Sequence, residues 1–144
     1  MNELRISPKP TLEAAVALLR RAQLPTEDLT AAHCENFFFA GPANAPTGLV
    51  GLELFAEVAL LRSLVVTTER RGAGEGLALL RYAEQHARAN GARDVYLLTT
   101  TAESFFARHG YARAERTSAP APIRATREFA GICPASSAFM HHHL

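Results

Sequence analysis

Apolar residues follow two different spacings along this 144-residue chain, and each spacing predicts a different kind of element. Short apolar or alternating runs are typical of strands, and apolar residues three or four positions apart are typical of helices. The runs predict strands at 4–6, 35–40, 49–54, 58–66, 95–99, 111–117 and 137–140. The stripes predict helices that begin after Thr11, at 26, at 77 and after 100 or 101, with a short helix over 123–129.

The order of these elements indicates the fold class. The strands at 49–54 and 58–66 are separated by a short turn, which predicts an antiparallel hairpin. Later strands alternate with helices, which predicts crossover connections. We therefore expect an α/β (α+β) protein with a mixed sheet and helices packed on it. We place a single domain at residues 1–140 and treat the His-rich residues 141–144 as a terminal tail without a role.

The stretch 61–90 organises the rest of the chain. It predicts a buried strand, a glycine-rich turn over 71–76 and an amphipathic helix that ends at Asn90 and Gly91. The first N–H groups of a helix have no internal partner, and the helix dipole favours negative charge there. Because glycines let an anion approach the backbone, and Arg70 and Arg71 add positive charge, the turn predicts a phosphate site.

Several interpretations of the glycine turn compete. A dinucleotide fingerprint, G-x-G-x-x-G, would need its third glycine one position later than Gly76. A Walker loop would need a lysine and a hydroxyl, which are absent from the turn. Arg71, Gly74 and Gly76 instead match the pattern Arg-x-x-Gly-x-Gly. A helix start whose glycines serve only tight packing is the remaining alternative.

This pattern, together with two flanking motifs, resembles the GNAT family of N-acetyltransferases. Residues 61–66 match the family's Leu-x-x-Leu-x-Val strand ahead of the loop. Residues 102–111 match its second motif, which runs from an alanine through an aromatic pair to a glycine and a final aromatic residue. The resemblance implies the GNAT fold, a mostly antiparallel central sheet of six to seven strands flanked by helices. It also implies acetyl transfer from acetyl-coenzyme A to an amine.

The resemblance also assigns a donor site. The pyrophosphate would bind the N–H groups of the glycine loop beside Arg71, and the pantetheine would run along the strand at 64–66, where a family bulge splays the sheet. A backbone N–H of that strand would polarise the thioester carbonyl. The donor-binding residues that it implies are Leu64, Val65, Val66, Arg71, Gly72, Ala73, Gly74, Glu75, Gly76 and Phe105.

The groups for proton transfer depart from the family pattern. The tyrosine that often protonates the leaving thiolate in the family falls at Phe106, and the usual strand glutamate falls near Leu60. Neither side chain can exchange a proton. Among nearby acids, Glu53 is the candidate base, although it can equally be a solvent-facing strand residue. Tyr111 fits the core better than a catalytic role.

Candidates for acceptor binding are Arg62, Ser63 and Arg124. The guanidinium of Arg62 would suit a carboxylate or another oxyanion, with an ion pair as the alternative. The segments around 97–106 and 118–136 are similar to the small acetyltransferases of arsenic resistance. The first segment is also similar, more distantly, to the acetyltransferase domain of N-acetylglutamate synthase. Both groups imply a small, amino-acid-like acceptor, and the arsenic-resistance group implies an organoarsenical or phosphinic amino acid.

Composition limits the remaining classes. A formal charge of +1 gives no electrostatic reason to expect nucleic acid or membrane binding. Apolar runs too short to span a bilayer predict a cytoplasmic protein, and the two cysteines, Cys34 and Cys133, predict free thiols. We expect no metal. The resemblance to the family suggests a homodimer. The alternative function is a non-catalytic acyl-coenzyme A sensor or partner module, suggested by Leu60 and Phe106.

Overall fold

A seven-stranded mixed sheet forms the frame of the protein, whose computed structural model describes residues 4–144. The strands are β1 (Ile6–Pro8), β2 (Phe37–Ala40), β3 (Gly48–Phe55), β4 (Val58–Val66), β5 (Asp94–Thr99), β6 (Ala112–Arg113) and β7 (Ala138–His143). Their spatial order is β1-β2-β3-β4-β5-β7-β6. Every pairing is antiparallel except that of β4 with β5. The predicted mixed, mostly antiparallel sheet is therefore confirmed.

Four α-helices connect and cover the strands: α1 (Leu12–Arg21), α2 (Glu75–Ala89), α3 (Glu103–Arg108) and α4 (Ala121–Arg124). The predicted cap of α1 is confirmed, because Oγ1 of Thr11 accepts a hydrogen bond from the Ala14 N–H at 3.1 Å. Gly91 ends α2 with φ of +96°, as the sequence predicts. None of the helices described is both long enough and apolar enough to cross a membrane.

The two faces of the sheet bury different sets of side chains. Phe38 packs with Leu79 and Leu80 of α2, whereas Phe37 and Phe39 pack on α1 from the opposite face. Further along the second face, Leu60 of β4 packs with Ile123 of α4 and Phe139 of β7. Both faces of β4 are therefore covered by packed side chains.

Three predicted elements differ in the structure. The helix expected from Thr26 is replaced by turns and a 3₁₀ turn at His33–Asn36, and Asp28 of this segment points into the interior, where it binds Arg62. The strand expected over 111–117 is reduced to β6. The helix expected over 123–129 is divided into α4 and an irregular helical turn at Glu128–Ile132.

The histidines near the C-terminus belong to the sheet and not to a separate tail. His141, His142 and His143 continue β7 and pair in register with β5. His141 and His143 both contact Oδ1 of Asp94, at 2.7 and 2.9 Å. The boundary that we expected at residue 140 therefore cuts through a strand.

A bulge distorts β4 at its centre. Leu49 of β3 pairs with Val65, and Gly51 pairs with Arg62, so two steps along β3 correspond to three along β4. Ser63 takes up the extra step with φ of +62°. The parallel pairing with β5 covers Val58–Leu60 of β4 and ends there, so the two strands separate just before the bulge.

Candidate functional site

The gap between β4 and β5 opens into a cleft of about 360 Å³. Its walls come from β4 and β5, from the segments at 23–27, 100–102 and 128–137, and from Phe106 of α3. The residues that line it are Gln23, Leu24, Pro25, Glu27, Leu61, Arg62, Ser63, Leu64, Leu97, Leu98, Thr99, Thr100, Thr101, Ala102, Phe106, Glu128, Ile132, Cys133, Pro134 and Ser137. Of the residues predicted to bind the acceptor, Arg62 and Ser63 line this cleft, and Arg124 is exposed elsewhere.

A second cavity, of about 460 Å³, lies at the N-terminus of α2. Gly72 and Gly74 of the preceding turn have φ of +85° and +81°, a region that side chains disfavour. A Cβ on either glycine would meet nothing within 4 Å, so the backbone there is open to a ligand. The residues that line this cavity are Val66, Arg70, Arg71, Gly72, Gly74, Glu75, Gly76, Leu77, Phe105, Arg108 and His109.

Most of the predicted donor-binding residues therefore come together, whereas Ala73 lines a separate surface pocket with Arg5 and Thr47. Val66, Arg71, Gly72, Gly74, Glu75, Gly76 and Phe105 line one cavity, and Leu64 lines the adjoining cleft. The Phe105 ring approaches the loop closely, because a Cβ on Gly76 would lie 3.6 Å from its Cζ atom. Val65 is buried against α1 on the other face of β4, so only its backbone can take part.

The two arginines of the loop are held differently. Nε of Arg71 donates to the Val66 carbonyl at 3.2 Å, and its side chain remains on the exposed rim. Nε of Arg70 donates to Oε2 of Glu75 at 2.6 Å. The other oxygen of Glu75 is buried and has no hydrogen-bond partner within residues 4–144. The loop thus combines an exposed cation without an ion-pair partner in residues 4–144, Arg71, with one that is paired to a carboxylate, Arg70.

Arg62 is the centre of a buried charge network. Its guanidinium is fully buried and forms a bidentate ion pair with Asp28. Nη1 donates to Oδ2 at 2.6 Å, and Nη2 donates to Oδ1 at 2.9 Å. Nη1 also donates to Oε2 of Glu53 at 2.9 Å, and Nε donates to Oγ of Ser63 at 3.2 Å. Burial raises the pKa of Asp28, but the hydrogen bond and the charge of Arg62 outweigh that effect and leave it lowered.

Glu128 is a candidate catalytic residue that the sequence analysis missed. It lines the cleft, is only 6% exposed, and places Oε2 3.4 Å from Nη2 of Arg62. Burial raises its pKa to about 7, against the lowering influence of Arg62. No motif spacing links Glu128 to Arg62, because the irregular turn at Glu128–Ile132 brings it to β4 only in the folded protein.

Glu53, the base suggested by the sequence, lies outside the main cleft. It lines a smaller surface pocket with Asp28 and His33. Its Oε2 atom binds Arg62 at 2.9 Å and lies 4.0 Å from Nε2 of His33. Because Glu53 is bound to a permanent cation and lies away from the cleft between β4 and β5, Glu128 is better placed to accept a proton.

Asp28, His33 and Glu53 also have the spacing of a metal site, with ligand atoms within 4.8 Å of one another. However, Nδ1 of His33 accepts a hydrogen bond from the Thr30 backbone N–H at 3.1 Å. The ring proton must then be on Nε2, which faces Glu53 and has no free lone pair for a metal. The contacts therefore fit a hydrogen-bonded cluster around Arg62 and do not fit a metal centre.

The positions where the family has proton-transfer groups are apolar and buried. Leu60 is 0% exposed, and Phe106 is 4% exposed beside the Tyr111 ring. The Tyr111 hydroxyl donates to Oε2 of Glu84 at 2.9 Å, and burial together with Glu84 raises its pKa. Tyr111 is thus a core residue, as expected. Cys34 and Cys133 are both free thiols.

Comparison with solved structures gives close fold matches at low sequence identity. N-acetylglutamate synthase from Neisseria gonorrhoeae, solved with coenzyme A and N-acetyl-glutamate, matches with a TM-score of 0.84 and 19% identity. The match covers 100% of this chain and 36% of the synthase chain, so the protein spans about a third of that enzyme's length.

Two further matches extend over almost the whole of both chains. Rv2747 from Mycobacterium tuberculosis, solved with coenzyme A, has a TM-score of 0.76 and 20% identity and covers 97% of this chain and 99% of its own. A GNAT-family acetyltransferase from Staphylococcus aureus has a TM-score of 0.71 and 15% identity, with 99% of both chains covered. At these identities the likeness concerns the fold alone.

Sequence comparison assigns the family. No curated protein matches the sequence. The family model for the acetyltransferase (GNAT) domain matches residues 33–113, which include the bulged strand, the glycine loop and α3. Since this match covers more than half of the chain, the protein belongs to the GNAT family of acetyltransferases.

Proposed function

We propose that the protein transfers an acetyl group from acetyl-coenzyme A to the amine of a small molecule. The observation that carries the proposal is the position of Glu128, a buried carboxyl group on the wall of a cleft that begins at the β4 bulge. The cleft lies next to a glycine loop suited to a phosphate. A donor site and a proton acceptor therefore share the same gap between β4 and β5.

We assign the donor to the glycine loop and the exposed edge of β4. The backbone N–H groups of 72–76 would bind the pyrophosphate, and Arg71, which is exposed at the rim, would pair with it. Beyond Leu60 the edge of β4 has left β5, so backbone groups of Leu64 and Val66 can bond an extended ligand. Phe105 supplies an apolar wall beside Gly76.

Acetyl-coenzyme A supplies an activated acetyl group in the form of a thioester. A backbone N–H of β4 near the bulge at Ser63 would donate to the thioester oxygen, as in an oxyanion hole. The bulge matters because it breaks the register between β3 and β4, which would leave a backbone donor free to face the cleft.

We assign the general base to Glu128. Its carboxylate would take one proton from the acceptor ammonium and leave a neutral amine that can attack the carbonyl carbon. As the new C–N bond forms and the C–S bond breaks, a second proton leaves the nitrogen and goes to the departing sulfur. Glu128 then returns its proton to water, so the net products are the amide, the coenzyme thiol and one proton.

The role that the sequence suggested for Arg62 does not fit its contacts. Four of its five N–H donors bond to Asp28, Glu53 and Ser63, and the fifth, on Nη2, faces Glu128 at 3.4 Å. Arg62 therefore has no free pair of donors for a carboxylate or for an arsenic or phosphorus oxyanion. We therefore propose that Arg62 holds these carboxylates in place and tunes Glu128, 3.4 Å away. Ser63 would act through its backbone at the bulge. Arg124, exposed outside the cleft, has no place in the proposal.

The proposal is tested by incubating the protein with acetyl-coenzyme A and a panel of small amines. Coenzyme release and the acetylated product would be measured together. We expect turnover in the native protein and a large loss in Glu128→Gln, with unchanged binding of coenzyme A. Tight coenzyme A binding without acetylation of any amine would contradict catalysis and favour a non-catalytic acyl-coenzyme A module.

A further inference from the structure

We infer that the acceptor is a cationic amine without a carboxylate, and not an α-amino acid. This inference rests on the proposed acetyl transfer and concerns the chemical class that the cleft selects. It follows from the charges that line the cleft and from the way in which Arg62 is bound.

The charged side chains that line the cleft are two acids and one base: Glu27, Glu128 and Arg62. The base is the fully buried guanidinium of Arg62, and each of its three nitrogens binds a side-chain oxygen. A ligand carboxylate would have to displace one of these partners or Glu128, which faces the remaining Nη2 N–H at 3.4 Å. The cleft therefore offers no unpaired cation to an anionic group, as far as residues 4–144 are concerned.

The network around Arg62 is also negative in total. Three carboxylates, those of Asp28, Glu53 and Glu128, lie within 3.4 Å of the guanidinium and share its single positive charge. Glu27, on the exposed rim, adds a further negative charge. Opposite charge favours entry of an ammonium group, and the same field disfavours a carboxylate that would lose its water without gaining a partner.

The uncharged part of the lining suits an apolar or weakly polar body. Leu24, Pro25, Ile132 and Pro134 contribute apolar walls. Ser137 adds a buried hydroxyl whose oxygen lacks a hydrogen-bond partner within residues 4–144. The cleft can thus accept a small amine whose charge lies at the reacting nitrogen and whose remainder carries at most a neutral polar group.

Matched pairs of compounds that differ only in the carboxylate provide the test. Tyramine and tyrosine, histamine and histidine, agmatine and arginine, and cadaverine and lysine would each be compared by kcat/KM with saturating acetyl-coenzyme A. We expect the amine to exceed its amino acid by about tenfold or more in the pairs that are acetylated. An amino acid that equals or exceeds its amine would overturn the inference, although acetyl transfer itself would stand.

Two variants test the electrostatic origin of the preference. Glu27→Lys, at an exposed position on the cleft, should lower the amine-to-amino-acid ratio by about threefold or more at low salt. Glu57→Lys makes the same change of charge in the β3–β4 turn, at the end of β4 remote from the bulge, and should leave the ratio unchanged. Equal effects of both variants would overturn a local origin.

Calorimetric titration separates failure of the inference from failure of the proposed function. The same pairs would be titrated into the protein saturated with coenzyme A. Amines that bind more tightly than their amino acids, without any acetylation, would support the inference and contradict the function. If no amine of the panel binds or reacts, the inference is wrong as well.

Discussion

Glu128 and Arg62 meet inside the cleft, with Oε2 of the carboxyl group 3.4 Å from Nη2 of the guanidinium. Arg62 is shared with Asp28 and Glu53, so it compensates only part of the cost of burying the Glu128 charge. This incomplete compensation gives the carboxyl group a pKa of about 7, which suits a base that must gain and lose a proton near neutral pH.

The pH dependence of acetylation should reflect Glu128. A general base acts when it is deprotonated, so kcat/KM is expected to rise with pH through about 7. In Glu128→Gln the rate should fall by about 100-fold or more, and the inflection near pH 7 should disappear, which leaves only the rise with the fraction of neutral amine. The pH–rate profiles of both proteins provide the measurement. A native profile that is flat between pH 6 and 8 would contradict the assignment.

The same residue should reduce stability at alkaline pH. Burial raises the pKa of Glu128 from 4.5 to about 7 in the folded protein, so the folded state holds its proton more tightly than the unfolded state. The stabilisation from that proton is complete below pH 4.5 and is lost as pH rises through about 7. Relative to Glu128→Gln, the native protein should lose up to about 3 kcal/mol across this range. Urea unfolding at pH 5 and pH 8 gives the comparison.

Replacement of Arg62 should destabilise the protein, because the surrounding carboxylates lose their shared cation. Arg62→Met leaves the buried carboxylate of Asp28 without its two-pronged partner, which should lower the free energy of unfolding by about 3–5 kcal/mol. Arg113→Met breaks an exposed ion pair with Glu103 and serves as the matched control, with little expected change. If the two variants prove equally stable in urea, the buried network does not contribute in this way.

Arg71 should contribute to the affinity for coenzyme A and little to the fold. Its side chain is exposed, and its Nε atom donates a hydrogen bond to the Val66 carbonyl. Arg71→Ala is expected to raise the Kd of coenzyme A by about tenfold. Arg88→Ala, an exposed change at the far end of α2, should have no effect on that Kd. Isothermal titration of both variants decides whether Arg71 belongs to the site.

The left-handed backbone at Gly74 should matter for the same ligand. An alanine there would have room for its Cβ but would be strained at φ of +81°. Gly74→Ala should cost about 1 kcal/mol or more and raise the Kd of coenzyme A about fivefold, because the loop must shift its N–H groups. Gly91→Ala is the control, because it introduces the same kind of strain at φ of +96° at the far end of α2, where a Cβ would lie 3.8 Å from the Ala56 carbonyl oxygen. Equal Kd values for the two variants would contradict the role of the loop.

The donor side of the site was predictable because its parts are local in sequence. The bulged strand, the glycine loop and the start of α2 follow one another directly, and α3 comes after only one more strand. Glycine spacing, apolar runs and helix starts are patterns of short range, which a sequence carries without knowledge of the fold. The cap at Thr11, the hairpin and the glycine end of α2 were found for the same reason.

The acceptor side was not predictable in this way. The sequence pattern placed Asp28 in the first turn of a helix. In the structure its carboxylate instead accepts a hydrogen bond from Arg62, which is 34 positions away in the sequence. Arg62 looked free to bind an oxyanion until its partners were known. The histidines of 141–143 looked like a tail because polar residues near a chain end are usually solvated, yet β5 offers them a strand edge.

By itself, the sequence determined the family, the order of most elements and the loop that we assign to the donor, since each depends on neighbouring residues. The tertiary structure decided which charges meet between β4 and β5. Their burial and pairing depend on contacts between distant segments. These contacts place Glu128 in the cleft and leave Arg62 without a free pair of donors for a substrate carboxylate.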